Sequence, residues 1–173
     1  ATVEFMTPRE IAHDFAARGG VHREIVGGGW LKLAPGQVTD DTQQAFMLAA
    51  TICEAGGELR AEDVARELVA WADRVNASAG NFLGPSSAKA IELLRAGADP
   101  RSTGNGGETN GAAMRIAPVG IVRRPGDLYA LVDAVVEATV MSHNTGVAVS
   151  GASLVAGVIS AGVEGASLEE AIE

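Results

Sequence analysis

The chain holds a single cysteine, Cys53, so no internal disulfide can form, and its place among apolar helix positions reads as an inert buried thiol in a reducing compartment. Aromatic residues make up only 4% of the sequence. Together with the β-branched types that build strands they are thin in most segments, which weighs against a sheet-based fold. Basic residues are the minority: 13 Lys and Arg face 22 Asp and Glu, for a formal charge of -9. No segment gathers them into a stripe, which disfavours nucleic acid as the main partner. No secretory leader is expected, because Glu4, Arg9 and Glu10 arrive before any apolar run can form; a cytoplasmic location is the expectation.

What is present is apolar and small. The 173 residues are 47% hydrophobic and 20% charged, with 22 glycines, which suits one folded domain over 1–173 and argues against disorder. Small side chains let helices approach closely, so the composition points to an all-α architecture. Residues 145–163 carry no charge and are long enough to cross a bilayer. Their Gly, Ser and Ala content, without Lys/Arg flanks or an aromatic belt, instead predicts a helix buried on all sides of a bundle and no membrane span. Gly146 with Ser150, and Ser153 with Gly157 and Ala161, would give it a smooth packing face.

Helix signals recur along the chain. Thr7, Pro8 and Glu10 form a capping box before Ile11 and Phe15, and Gly19 and Gly20 stop that helix. Residues 19–37, with Gly27, Gly28, Gly29, Trp30 and Pro35, read as a loop holding a short extended piece. From Thr39 a helical period runs through Phe46, Leu48, Ala49, Ile52 and Cys53. Val64, Leu68, Trp71, Ala72 and Val75 mark the apolar face of the next helix. A turn over Asn76–Pro85 leads to a helix through Ala88, Ile91 and Leu94. A second glycine-rich loop covers 101–111, and Ala112–Val122 reads as a short buried segment interrupted by Pro118. Asp127 can cap a helix running to Met141, and Ser167 with Glu170 opens another capping box. The pattern is a multi-helical, orthogonal or layered bundle with two functional-looking loops.

Four clusters could carry chemistry. Thr39, Asp40 and Asp41 at a helix start offer hard oxygen donors of the kind Mg²⁺ takes, although the same residues serve equally as an N-cap and as acids complementing the helix dipole. The loop from Gly104 through Gly106, Gly107, Asn110 and Gly111 frees backbone amides for a phosphate, yet matches neither a P-loop nor a dinucleotide fingerprint. His143 lies between two apolar helices, where a capping or satisfied polar role competes with a functional one. Glu4, between Val3 and Phe5, is either a carboxylate of raised pKa or an exposed side chain.

In combination these pieces are more specific. The ATVEFMT segment over 1–7, GGGWLKL over 27–33, PGQVTDDT over 35–42, NGAAMRIAP over 110–118 and Ser142–Asn144 occur in an order that resembles the ADP-ribosylglycohydrolase family. The resemblance implies an all-α fold and a centre of two Mg²⁺ ions, with Mn²⁺ as a substitute, for which Thr39, Asp40 and Asp41 would be ligands. It implies Glu4 as a catalytic or water-positioning carboxylate, and Gly106, Gly107, Asn110, Gly111 and His143 as residues of the ADP-ribose cleft. The activity implied is Mg-dependent removal of ADP-ribose from a modified protein side chain, an arginine N-glycoside. The partners are then ADP-ribose and an ADP-ribosylated protein. A non-catalytic ADP-ribose binder or a structural member on the same fold is the alternative.

Two-metal hydrolysis at an anomeric carbon suits this set, since the ions hold a water and ribose hydroxyls while a nearby carboxylate stabilises oxocarbenium charge. The Trp30 loop would wall the substrate. The sequence also departs from the family pattern. Ala77, Ser78 and Ala79 stand where some members carry an acid, no Asp-x-Asp-Thr/Ser motif follows His143, and no Gly-Asp motif precedes Ala1. The expectation is a partial domain, incomplete at both ends, that alone binds Mg²⁺ weakly and turns over slowly or not at all.

Overall fold

The structure, a computed structural model, describes residues 2–16, 24–75 and 83–172. Gly19 and Gly20, Asn76 to Gly80 with its three small residues, Ala1 and Glu173 lie outside the described residues. The chain separates into two compact units, Ala1–Thr39 and Asp40–Glu173. Among the described residues the regular elements are helical, and the one β-feature is an isolated bridge between Gly28 and Leu33.

In the first unit, α1 (Pro8–Ala16) starts as its sequence predicts. The Thr7 amide and hydroxyl each donate to Glu10 Oε2 at 2.7 Å, and the Glu10 amide donates back to Thr7 Oγ1 at 3.3 Å. These bonds hold the Glu10 carboxyl below the usual carboxylate range. The expected extended piece is a tight loop in which Gly28 and Leu33 exchange amide bonds at 2.8 and 3.0 Å, and the Lys32 amide closes a turn on Gly29 O at 3.1 Å. Gly29 is required there twice over: its φ is +72°, and a Cβ would stand 2.1 Å from Thr2 O. Trp30, at the tip of this turn, is exposed.

The second unit is a bundle of α2 (Asp40–Glu54), α3 (Ala61–Arg74), α4 (Pro85–Arg95), α5 (Pro100–Thr103), a 3₁₀ turn (Ala113–Arg115), α6 (Ala117–Val122), α7 (Leu128–Thr139), α8 (Gly146–Val163) and α9 (Leu168–Ile172). α3 buries Val64, Leu68, Trp71 and Ala72, the face its periodicity predicts. These meet Leu48 and Ile52 of α2, Ile91 of α4, Ile116, Val119 of α6, and Leu131 and Val135 of α7 in one core. The Asp127 cap on α7 and the Ser167/Glu170 box form as expected. The α3 N-terminus receives its acceptor from far along the chain. Glu137 of α7 takes the Ala61 amide at 2.7 Å and Arg101 Nη2 at 2.8 Å, where Arg60 supplies no side-chain cap.

Three expectations are corrected. α2 buries Gln44, Met47, Leu48, Thr51 and Ile52, so Phe46 and Cys53 point to solvent and the thiol is exposed, not buried. The apolar run of α2 is wider than one face, and the stripe chosen by packing includes two polar residues. α8 is long and apolar enough to cross a membrane by length and composition, but only 22% of it is buried. It is therefore not enclosed on all sides: Ala148, Ala152, Ala156 and Ser160 form the inward stripe, while Val147 and Leu154 are exposed. Finally, that stripe does not use the expected four-residue sets. The close approach is made from the other side, where Gly120 of α6 lies so near that a Cβ would stand 2.5 Å from Ala156 O. Ser160 Oγ fastens the same contact by donating to Arg123 O.

Candidate functional site

The second glycine-rich loop is laid directly on the segment joining α7 to α8. The Asn144 amide donates to Gly104 O at 2.9 Å, Thr145 Oγ1 donates to Gly107 O at 2.8 Å, and Thr103 Oγ1 donates to Met141 O at 2.6 Å. Thr145 also caps α8 by accepting the Ala148 amide at 3.3 Å, so one side chain sets both the helix start and the loop. Glycine is needed here for space. A Cβ on Gly104 would lie 2.1 Å from Val140 O, and one on Gly107 would lie 2.2 Å from Ser142 O. Only at Gly106, with φ +92°, does the turn itself call for glycine. The fold thus lays the loop that carries Gly106, Gly107, Asn110 and Gly111 against the segment that carries His143.

Beside this junction lies a cleft of about 220 Å³ bounded by the α4 start (Pro85, Ser86, Lys89), by residues 103–107 and by Ser142. Lys89 puts a cation at its wall, and Gly104 to Gly107 put loop backbone there. This arrangement can take a flexible, oxygen-rich anion such as a diphosphate.

His143 does not face the cleft. It is 1% exposed and lies beneath Gly111, whose Cβ would meet ring atom Cε1 at 2.6 Å. Its Nε2 is 2.9 Å from Thr109 Oγ1 and its Nδ1 is 2.9 Å from Ser142 Oγ. Burial, reinforced by the charge of Arg115, lowers its pKa to about 4, so the ring is neutral at neutral pH and carries no general acid of the usual imidazolium kind. Arg115, within the NGAAMRIAP segment, is a functional residue that no motif assigns. It is fully buried, and its Nη1 donates to Gln44 Oε1 at 2.6 Å while Nη2 donates to Ser142 Oγ at 2.6 Å. Desolvation lowers its pKa to about 10, which still leaves it charged. The signal was available, because Arg115 is the lone charge between Gly111 and Val122. Gln44, Thr109 and Lys89 carried no comparable signal.

The expected metal donors are positioned as follows. Thr39 ends the first unit and is buried, whereas Asp40 and Asp41 open α2 in the second and are half-buried. Each is engaged in an interaction within the chain. Their hydroxyl and carboxylate oxygens are the right donor chemistry for a small divalent cation. Among the described residues no group of three or more His, Cys, Asp or Glu side chains is gathered that could hold a metal. Glu4 is half-buried in the first unit, in a turn where the Met6 amide meets Val3 O at 3.1 Å and Phe5 takes φ +65°.

A family model, ADP-ribosylglycohydrolase, matches residues 1–173. The chain belongs to that family. It is 38% identical to the ADP-ribosyl-[dinitrogen reductase] glycohydrolase of Rhodospirillum rubrum over 74% of this chain and 42% of that protein. It is 31% identical to the ADP-ribosylarginine hydrolase Tri1 of Pseudomonas putida (strain GB-1), over 99% of this chain and 44% of that one. A solved structure, "ADP-ribosylglycohydrolase-related protein complex", superposes with a TM-score of 0.70 at 28% identity, covering 87% of this chain and 48% of its own. That all-α neighbour agrees with the helical fold expected from sequence. The chain spans less than half the length of these relatives.

Proposed function

We propose that the chain provides the ADP-ribose-binding half of an ADP-ribosyl hydrolase acting on a modified protein side chain, an arginine N-glycoside. The observation that carries this reading is the loop over 104–111, spliced backbone to backbone onto 140–145 beside the Lys89 cleft, in a chain matched throughout by the family model. The loop and Lys89 would hold the diphosphate. Asn110, whose backbone carbonyl accepts the Met114 amide at 2.9 Å, would offer its side-chain amide to a ribose hydroxyl.

Thr39, Asp40 and Asp41 would hold Mg²⁺, with Mn²⁺ as a substitute. When bound, the metal supplies electrostatic stabilisation of oxygen anions and lowers the pKa of a coordinated water. Glu4 is the candidate carboxylate for water positioning. Calorimetric titration with ADP-ribose tests the binding reading, and release of ADP-ribose from a modified arginine peptide in the presence and absence of Mg²⁺ tests the hydrolytic one. A metal-independent binder is the second reading. It is favoured by the cleft wall itself, where Lys89 and the backbone of residues 103–107 can hold an anion. Binding of ADP-ribose that chelation leaves unchanged selects it.

A further inference from the structure

The hydrogen bonds that run out from Arg115 have a direction. A guanidinium only donates, so Ser142 Oγ must accept from Nη2 across 2.6 Å. The hydroxyl then has one proton to give, and His143 Nδ1 at 2.9 Å is its acceptor. With the opposite tautomer, Ser142 Oγ would accept twice and its own proton would be buried without a hydrogen-bonded acceptor among the described residues. His143 therefore carries its proton on Nε2 and donates to Thr109 Oγ1 across 2.9 Å. Thr109 is exposed, and its hydroxyl proton is left for an acceptor outside the chain.

We propose that Arg115 is a positioning residue that, through Ser142 and His143, turns Thr109 into an outward-facing hydrogen-bond donor on the rim of the glycine loop, for a phosphate or ribose oxygen of the ligand. This rests on reading that loop as the ADP-ribose site. Arg115, Ser142 and His143 are buried and act only through Thr109. The effect of the relay is to replace a freely rotating hydroxyl, able to donate or accept, by one committed to donation, which favours an acceptor-rich ligand. Gly111 is part of the device, because its missing side chain is what lets the loop rest on the imidazole. The guanidinium fixes the order of donors and acceptors from its inner end, because unlike a hydroxyl it can only donate.

The test combines two readouts on the 173-residue protein. Long-range ¹H–¹⁵N correlation of the His143 ring in the ligand-free chain reports the tautomer, which is Nε2–H in the wild type and loses that bias in Ser142→Ala. Titration with ADP-ribose is expected to show Thr109→Val binding roughly three- to tenfold more weakly, the loss of one hydrogen bond, with Thr109→Ser restoring affinity to within about twofold. The Thr109→Val/Ser142→Ala double variant binds no more weakly than the weaker single variant, because both cut the same relay. An Nδ1–H tautomer in the wild type overturns the relay whatever the chain binds. Unchanged affinity in Thr109→Val, or additive losses in the double variant, overturns the role in binding. An Nε2–H tautomer in a chain that does not bind ADP-ribose overturns the ligand reading and leaves the relay standing.

Discussion

Replacing Gly111 by alanine places one methyl group against a ring that cannot yield. The added Cβ would stand 2.6 Å from Cε1 and 2.8 Å from Nε2 of His143, inside van der Waals contact. The ring is buried and tied at both nitrogens, to Ser142 and to Thr109. Overpacking of this kind costs about 1–3 kcal/mol, and freeing either ring nitrogen costs about 1 kcal/mol more. Reduced entropy of the unfolded chain returns about 0.4–1 kcal/mol. The net destabilisation is about 2 kcal/mol, which at a urea dependence of about 2 kcal/mol per M moves the midpoint down by about 1 M. Equilibrium urea unfolding followed by circular dichroism measures it. A midpoint that rises, or falls by less than about 0.2 M with an unchanged slope, refutes the packing of Gly111 on His143.

Gly151, an exposed position inside α8 where a Cβ meets nothing, is the complementary case: Gly151→Ala should raise stability by about 0.5–1 kcal/mol, and a loss in the same assay would place the helix elsewhere. His143 gives a pH signature. Its folded pKa of about 4 lies below the ordinary imidazole value of 6.5, so the unfolded chain binds the proton first, and stability is fully present above pH 6.5 and falls as pH drops towards 4. The loss, up to about 3 kcal/mol across that window, should be missing in His143→Gln, and equal pH slopes in the two proteins would contradict a buried neutral ring. Glu137→Ala removes both the acceptor for the Ala61 amide and one of the two carboxylates paired with Arg101 and should cost about 1–2 kcal/mol, read as an earlier thermal midpoint; no shift would mean that water caps α3 equally well.

Local signals in the sequence carried much of the fold. Thr7 with Glu10, Asp127, and Ser167 with Glu170 act through bonds three residues apart, and each is found where its motif put it. Faces were harder. In α2, apolar residues lie on more than one side, and which side is buried depends on the neighbours α3 and α6, so periodicity alone does not tell Leu48 and Ile52, which are buried, from Phe46 and Cys53, which are exposed. α8 has almost no polar contrast, which leaves its register to the bare backbone of Gly120 on another helix. At the site, the glycines were legible as a loop, but three of them are glycine because a second segment 30 to 40 residues away lies on top. Buried Arg115 stands outside any amphipathic pattern; its partners Gln44 and Ser142 come from α2 and the segment before α8, and only the tertiary fold unites them.

The central claim is that the junction of residues 103–111 with 140–145 receives ADP-ribose. Amide chemical-shift mapping of the ¹⁵N-labelled chain titrated with ADP-ribose, with and without Mg²⁺, addresses it most directly. The account predicts saturable shifts centred on Gly104 to Gly111, Ser142 to Thr145 and Lys89, diminished in Lys89→Ala. Shifts confined to other parts of the chain, or no shifts at millimolar ligand, would contradict it.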